Sequence, residues 1–497
     1  MSKTKSICPV CYAVIEASVE KEDGKVIITK TCKDHGTFND VYFSDAKIYD
    51  NYEKFRSMGS GLTNPMTKTV KGCPYDCGLC PNHKTTTILA NIDVTNRCNL
   101  LCPLCFANAR KSGYVYEPTM DQIRHMMEVL RNEKPVPCYA IQFAGGEPTV
   151  RSDLPEIINM ARQMGFFQIM IATNGMKLAQ SKEYCRELRK TPLSTTYLQF
   201  DGVTEEPYIK LRGFNALPYK LKALENMRET GLKNVVLVPS LVKGVNDTQV
   251  ADIIRFAAKN VDMVRGVNFQ PVSFTGRVDS EELKRGRITI PDFITMLEEQ
   301  SNGEIQRSDF FPCPAVAPMS DLMEAWTHNP QVKFTIHPHC GTATYVFVDD
   351  KGGMLPITRF VDVAGLMEAI ERISNECKDS KHSKLLIGEK LIREAPRYVD
   401  MAKMPKDVNI PKILVAFVKS GDPVKVLSEF HYKSMLVSAM HFMDPYNFDL
   451  ARVQSCGIHY AIPDGRVIPF CTYNTIHRPE VEKKFAIQMT AEATQKL

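Results

Sequence analysis

The sequence has no long hydrophobic run, no strong charge imbalance, no internal repeat and no low-complexity tract. Its best apolar stretch, "ILVAFV" at 413–418, falls far short of the roughly 20 residues that cross a bilayer. The N-terminal "MSKTKSICPV" lacks the apolar region of a secretory signal. These absences predict a cytoplasmic protein, and they are compatible with transient contact at a membrane surface. A net charge of +5 over 497 residues is too small to mark a basic patch, which argues against a nucleic-acid partner. The length exceeds one ordinary core, so two or more domains are expected.

Cysteine is what the chain has in excess: sixteen residues, in clusters. In a reducing compartment clustered cysteines read as metal ligands before disulfides. The first cluster, Cys8, Cys11, Cys32 and His35, has the form C-x2-C-x20-C-x2-H. Between its halves, apolar residues alternate on both sides of Asp23-Gly24, the pattern of a β-hairpin. Two short knuckles bracketing a hairpin suit one metal ion, zinc or a rubredoxin-like iron. "MGSGLTNP" then reads as a linker. The second cluster, "GCPYDCGLCPNH", holds Cys73, Cys77, Cys80 and His83. It suits an auxiliary [4Fe–4S] cluster, with a second zinc site as the alternative. Its fourth ligand is His83, a distant cysteine, or none.

From residue 86 the texture changes. Strand candidates at 86–95, 139–145, 167–175, 195–202, 234–244 and 264–272 alternate with helix candidates at 121–132, 154–164, 183–190, 218–229 and 247–258. Six βα units predict an α/β fold with a parallel sheet, better curled into an incomplete barrel than wound as a flat sheet. The third cysteine cluster, Cys98, Cys102 and Cys105 in "TNRCNLLCPLCFANA", follows the first of these strands. Three thiolates can hold a [4Fe–4S] cluster by three irons and leave the fourth iron open. "AGGEPTV" ends the second strand and "TNG" the third.

This order of motifs resembles the radical S-adenosylmethionine (SAM) superfamily. The resemblance implies a partial (βα)6 barrel and a catalytic cluster held by Cys98, Cys102 and Cys105. SAM would chelate the open iron, and its reductive cleavage would give a 5'-deoxyadenosyl radical that abstracts hydrogen from an unactivated C–H bond. It places the methionine end of SAM against Gly145, Gly146, Glu147 and Pro148, and further SAM contacts at Thr173 and Asn174. Gln199, Asp201 and Gln270 are further candidates at strands four and six. A reductant protein such as a ferredoxin or flavodoxin would supply electrons.

The expected organisation is a metal-knuckle domain at 1–65, an auxiliary-cluster segment at 66–90, the barrel at 91–307, and a separate α+β domain at 308–497 that includes a helix over 424–442. Cys313, Cys340, Cys456 and Cys471 are loop cysteines far apart in the chain. Similar cysteines in radical enzymes ligate a second auxiliary [4Fe–4S] cluster. Cys138, Cys185 and Cys377 read as core residues.

Taken together, "CPVC", "TCKDHGTF", the two C-x3-C-x2-C motifs and "SCGIHYAIPDGRVIPFCTYN" resemble the archaeal tetraether lipid synthases. That resemblance implies joining of the terminal sp3 carbons of two isoprenoid chains of archaeal diether lipids, with an auxiliary cluster holding the intermediate. Saturated chain ends offer no acidic proton and no leaving group, so hydrogen abstraction is the chemistry open to them. "ILVAFV" and "MLVSAMHFM" would then line a lipid tunnel, or simply pack in the core. The cysteine texture is also similar to that of radical enzymes that methylate carbons of a pterin such as 7,8-dihydro-6-hydroxymethylpterin. A third reading is a non-catalytic iron–sulfur carrier or scaffold, which would have no use for a SAM site.

Overall fold

The computed structural model describes residues 2–109, 111–277, 286–405 and 433–487. Its N-terminal part is an antiparallel sheet of β1 (Ser2–Ile7), β2 (Val14–Glu22), β3 (Lys25–Cys32) and β4 (Gly36–Phe43), paired in chain order. Asp23 and Gly24 both take positive φ, 48° and 75°, as the expected two-residue hairpin turn requires. The small sheet is fastened to the C-terminal region. The Thr4 and Tyr42 hydroxyls both donate to Asp449, and the Lys30 ammonium donates to the Pro445 carbonyl at 2.6 Å.

The stretch expected as a linker has no regular structure, yet it is fitted closely. Gly61 N–H donates to the Lys84 carbonyl and Thr63 N–H to that of Lys134. A Cβ on Gly59 would lie 2.1 Å from the Lys84 carbonyl oxygen, so only glycine fits there.

The second sheet has thirteen strands. At its centre β5 (Leu89–Thr95), β6 (Ala140–Gly145), β7 (Gln168–Thr173), β8 (Thr195–Gln199), β9 (Val235–Val238) and β10 (Val264–Pro271) pair in parallel, in that order. The crossover helices include Met120–Arg131, Leu154–Gln163, Lys182–Lys190, Leu217–Thr230 and Val250–Lys259. This is the expected partial barrel. Successive strand residues point to opposite faces, and the two faces differ in chemistry. Ala90, Ile92 and Val94 of β5 pack with Ile123, Met127 and other apolar helix residues. Asn91 and Asp93, between them in sequence, open instead on an interior cavity.

Strands from beyond Ser308 continue the same sheet on both sides. β12 (Ser434–Met440) pairs in parallel with β10, and β11 (Gly341–Val348) adds to it antiparallel. On the other side β13 (Ile458–Ala461) pairs in parallel with β5 and turns back as β14 (Val467–Pro469). The sheet therefore runs across the division expected at residue 307. The helix expected over 424–442 is corrected: 434–440 is a strand, hydrogen-bonded to neighbours on both edges, and that pairing outweighs local helix propensity. Residues 424–432 and "ILVAFV" lie outside the described residues. Among the described residues, no helix is long and apolar enough to cross a membrane.

Candidate active site and metal centres

The chain leaves β5 at Thr95 and enters the loop of Cys98, Cys102 and Cys105. Gly146 N–H donates to the Thr95 carbonyl at 2.8 Å, and Glu147 N–H to that of Arg97 at 2.9 Å. A Cβ on Gly145 or Gly146 would come within 2.1 Å and 2.3 Å of those same carbonyl oxygens. The glycine pair is thus demanded by backbone pressed against backbone. From the other side Arg277 exchanges both main-chain hydrogen bonds with Cys105, at 2.9 and 3.1 Å, and its guanidinium donates to the Cys102 carbonyl at 2.8 Å.

The Glu147 carboxylate is buried and accepts from Thr149 N–H and hydroxyl, the Thr173 hydroxyl at 2.7 Å and Asn174 N–H at 2.7 Å. The Asn174 side-chain amide stands 4.0 Å from Cys98 Sγ. Buried Lys220 donates to the Asn174 carbonyl at 2.5 Å and to Gln199 Oε1 at 2.6 Å. Asp201 grips Arg212 through two bonds of 2.7 and 2.8 Å. Desolvation pushes the Cys98 thiol up to about 12, with Glu147 and the neighbouring thiols adding to it. Desolvation also raises Cys102, and Arg212 opposes it. Such thiols ionise only beside a bound cation. Cys98, Cys102 and Cys105 line the same cavity as the Gly145–Gly146 cradle, an arrangement that fits an iron–sulfur cluster with an open iron.

Cys98, Cys102, Cys105, Gly145, Gly146, Glu147, Thr173, Asn174, Gln199 and Gln270 all line one cavity inside the barrel. Pro148 and Asp201 do not line it. Pro148 starts a short 3-10 turn behind the glycines, and the Asp201 carboxylate is committed to Arg212. Arg212, Lys220 and Arg277 escape sequence reasoning, because nothing local marks a cation whose partners lie 11, 21 or 175 positions away. Asn91, Asp93, Gln142, Tyr197 and Asn474 line the same cavity, together with an aromatic wall. There Phe442 stacks on Phe470 at 4.0 Å between ring centres, with Tyr460 next to it at 5.2 Å.

The ligand atoms of Cys8, Cys11, Cys32 and His35 lie within 4.8 Å of one another. Bonds of about 2.0–2.3 Å to a single ion bring four ligands to such spacing. The Asp34 N–H and His35 draw the Cys32 thiol below its ordinary value. Cys313, Cys340, Cys456 and Cys471 also converge. Desolvation pushes Cys313 and Cys456 up to about 12, and in each case the Cys340 thiol adds to it. Desolvation raises Cys471 likewise, with Cys456 and Cys340 contributing. Arg452 Nε lies 3.3 Å from Cys340 Sγ. Among the described residues these four do not close to single-ion spacing, and a cluster wants them wider. Cys73 and Cys77 interact, and Cys77 is raised by Cys73 and by burial. His83, offered as fourth ligand to that triplet, has one ring nitrogen engaged by other groups. Its Nε2 lies 2.8 Å from the Cys456 carbonyl and 3.1 Å from His459 Nε2. Cys138, Cys185 and Cys377 are buried, as core residues should be.

The sequence profile of the Radical SAM superfamily matches residues 92–257, and that of the HMPTM N-terminal zinc ribbon domain matches residues 1–44. The chain is 56% identical over 491 residues to the 7,8-dihydro-6-hydroxymethylpterin dimethyltransferase of Methanocaldococcus jannaschii, covering 98% of this chain and 96% of that one. The chain belongs to that family, within the radical SAM superfamily. It is also 24% identical over 222 residues to a GTP 3',8-cyclase of Clostridium acetobutylicum, covering 44% of this chain and 64% of the other. A solved methylornithine synthase superposes with a TM-score of 0.34 at 14% identity, over 44% of this chain and 64% of its own.

Radical SAM membership brings SAM and a [4Fe–4S] cluster as cofactors, and the ribbon brings a mononuclear metal. The remaining cysteine groups fit auxiliary clusters. The expected lipid chemistry is overturned. The relative that spans nearly the whole chain is a pterin enzyme, which removes the tetraether synthase reading and the diether lipid partner.

Proposed function

We propose that this protein is a radical SAM C-methyltransferase whose substrate is a reduced pterin of the 7,8-dihydro-6-hydroxymethylpterin kind. The observation that carries this reading is the 56% identity, sustained over 98% of the chain, to an enzyme so named. Cluster and SAM, when bound, supply a hydrogen-abstracting radical, the means of opening a carbon that has no acidic proton. The chain's own residues do the rest. Gly145 and Gly146 let backbone approach SAM, and Glu147 holds a negative charge for its ammonium group, in a position fixed by four donors. Arg212 steadies the ionised Cys102. The Phe442, Phe470 and Tyr460 wall offers a flat ring a face to lie on. Cys471 lines the same cavity, so an auxiliary cluster at the C-terminal cysteines would stand beside the substrate. A cavity between the thiols and the aromatic wall is of no use to an electron carrier, which disfavours the scaffold reading.

The test is expression in a host that makes dihydropterins, followed by mass spectrometry of its pterins. Pterins heavier by one and two methyl groups are expected with the parent chain and absent with Cys98→Ala. An unchanged pterin pool, with the clusters shown to be loaded, would sink the reading.

A further inference from the structure

Two acceptors on residues that line the cavity have no partner among the described residues: Asp93 Oδ1 and Gln142 Oε1. Both atoms are buried, and both residues line the cavity. Leaving a buried acceptor bare is unfavourable, so a resident group that supplies N–H or O–H donors is called for.

Their orientation is set by hydrogen bonds that run back to fixed groups. Asn91 Nδ2 donates to the His459 carbonyl at 3.3 Å, so Asn91 Oδ1 is left as an acceptor. Gln142 must then present its nitrogen to Asn91, at 2.9 Å, which leaves Oε1 turned elsewhere. Reversing either amide would set oxygen against oxygen, so the backbone carbonyl fixes the whole chain of bonds. Asp93 is fixed in a similar way. Its Oδ2 accepts from Arg478 at 2.5 Å, and Arg478 is held in turn by Asn474 and Glu482. Burial raises the Asp93 carboxyl, and Arg478 opposes the rise. β5 and β6 lie side by side, with Asn91 opposite Gln142 and Asp93 opposite Ala144. The two free acceptors therefore come from adjacent strands, two residues apart along the strand direction.

We propose that Asp93 and Gln142 are specificity residues that receive the donor edge of the substrate heterocycle, the 2-amino group and adjacent ring N–H of the pterin. The proposal rests on the pterin reading and adds which atoms recognise the ring. A planar amino-pyrimidinone carries neighbouring N–H donors on one edge and stacks on an aromatic wall, and the cavity offers a match for both features. Arg478, which meets Asp93 through Oδ2 and leaves Oδ1 free, is a positioning residue.

The test uses reconstituted holoenzyme with SAM bound. Affinity for the dihydropterin is measured for the parent chain, Gln142→Met and Asp93→Asn, alongside SAM affinity and cluster absorbance. Each substitution should weaken pterin binding roughly ten- to hundredfold, with SAM affinity and absorbance unchanged. The parent chain should show a similar loss for a pterin analogue that lacks the 2-amino group, and the variants should discriminate little between the two ligands. Gln142→Met keeps length and shape, so it guards against misfolding of Asp93→Asn. If both variants bind and methylate the pterin as the parent does, the assignment of these residues is wrong while the pterin reading stands. If the parent itself neither binds nor methylates pterin, both fall.

Discussion

Glu133 shows what one buried residue can do to the behaviour of this chain. It is fully buried, and its carboxylate accepts from the Thr87 N–H at 3.0 Å and hydroxyl at 2.6 Å. The Thr87 hydroxyl also meets His459 Nδ1 at 2.9 Å, and His459 leads on to His83. Burial raises Glu133 from 4.5 to about 7, against the pull of Thr87. Between those values the folded chain holds a proton that the unfolded chain has released. The contribution is thus fully present below pH 4.5 and is lost as pH rises through about 7. Glu133→Gln cannot ionise and so removes this dependence. The stability of the variant relative to the parent should improve by about 3 kcal/mol from about pH 4.5 to about pH 8. Chemical denaturation across that range measures it, and a difference that stays flat with pH would refute the account. No sequence pattern marks Glu133, whereas the cysteine triplet and the GGE stand out at once. Motifs announce themselves by spacing along the chain. A lone carboxylate facing a threonine forty-six positions away does not.

At the scale of elements, legibility in the sequence depends on whether the deciding contacts are local. The hairpin around Asp23-Gly24 is set by its turn residues, and the barrel strands and helices by periodicity, so both emerge as expected. Strand β12 is set by pairing with β10 on one edge and β11 on the other, which explains why 434–440 is open to misreading as helix. The ribbon combines the two cases. Its turn and ligands are local, but its seat is not, since Thr4, Tyr42 and Lys30 all bond to residues between Pro445 and Asp449. A small sheet of this kind has little core of its own and depends on its metal. Cys32→Ser should therefore raise amide exchange across Ser2–Phe43 and loosen the loop at 445–449 with it, while β5 to β10 keep their protection. Exchange measured by mass spectrometry decides this. Protection unchanged at both places would mean that the metal does not support the ribbon.

The whole molecule is organised around one sheet, and the continuity of that sheet limits how the chain can be divided. Six parallel strands come from the barrel segment, and β12 and β13, parallel to them, flank the set on either side. β13 also delivers Tyr460 to the cavity, and the segments after β12 and β14 deliver Phe442, Phe470 and Cys471. Nothing in the local sequence hints at this return, because strand pairing between β5 and β13, some 369 positions apart from Leu89 to Ile458, leaves no local trace. A chain ending at residue 307 would expose the outer edges of β5 and β10, two parallel strands with unpaired N–H and C=O groups and neighbours rich in valine and isoleucine. It would also lose the aromatic wall and the four C-terminal cysteines. If 91–307 were independent of residues 308–497, that fragment would be a soluble monomer with a cooperative melt. The continuous sheet predicts instead that residues 1–307 associate or bind a hydrophobic dye, and that adding residues 308–497 as a separate chain during refolding restores a soluble 1:1 complex. Sedimentation of the fragment alone and with its complement distinguishes the two. A monomeric, sharply melting 1–307 fragment would show that the flanking strands are additions to a finished barrel and not part of what closes it.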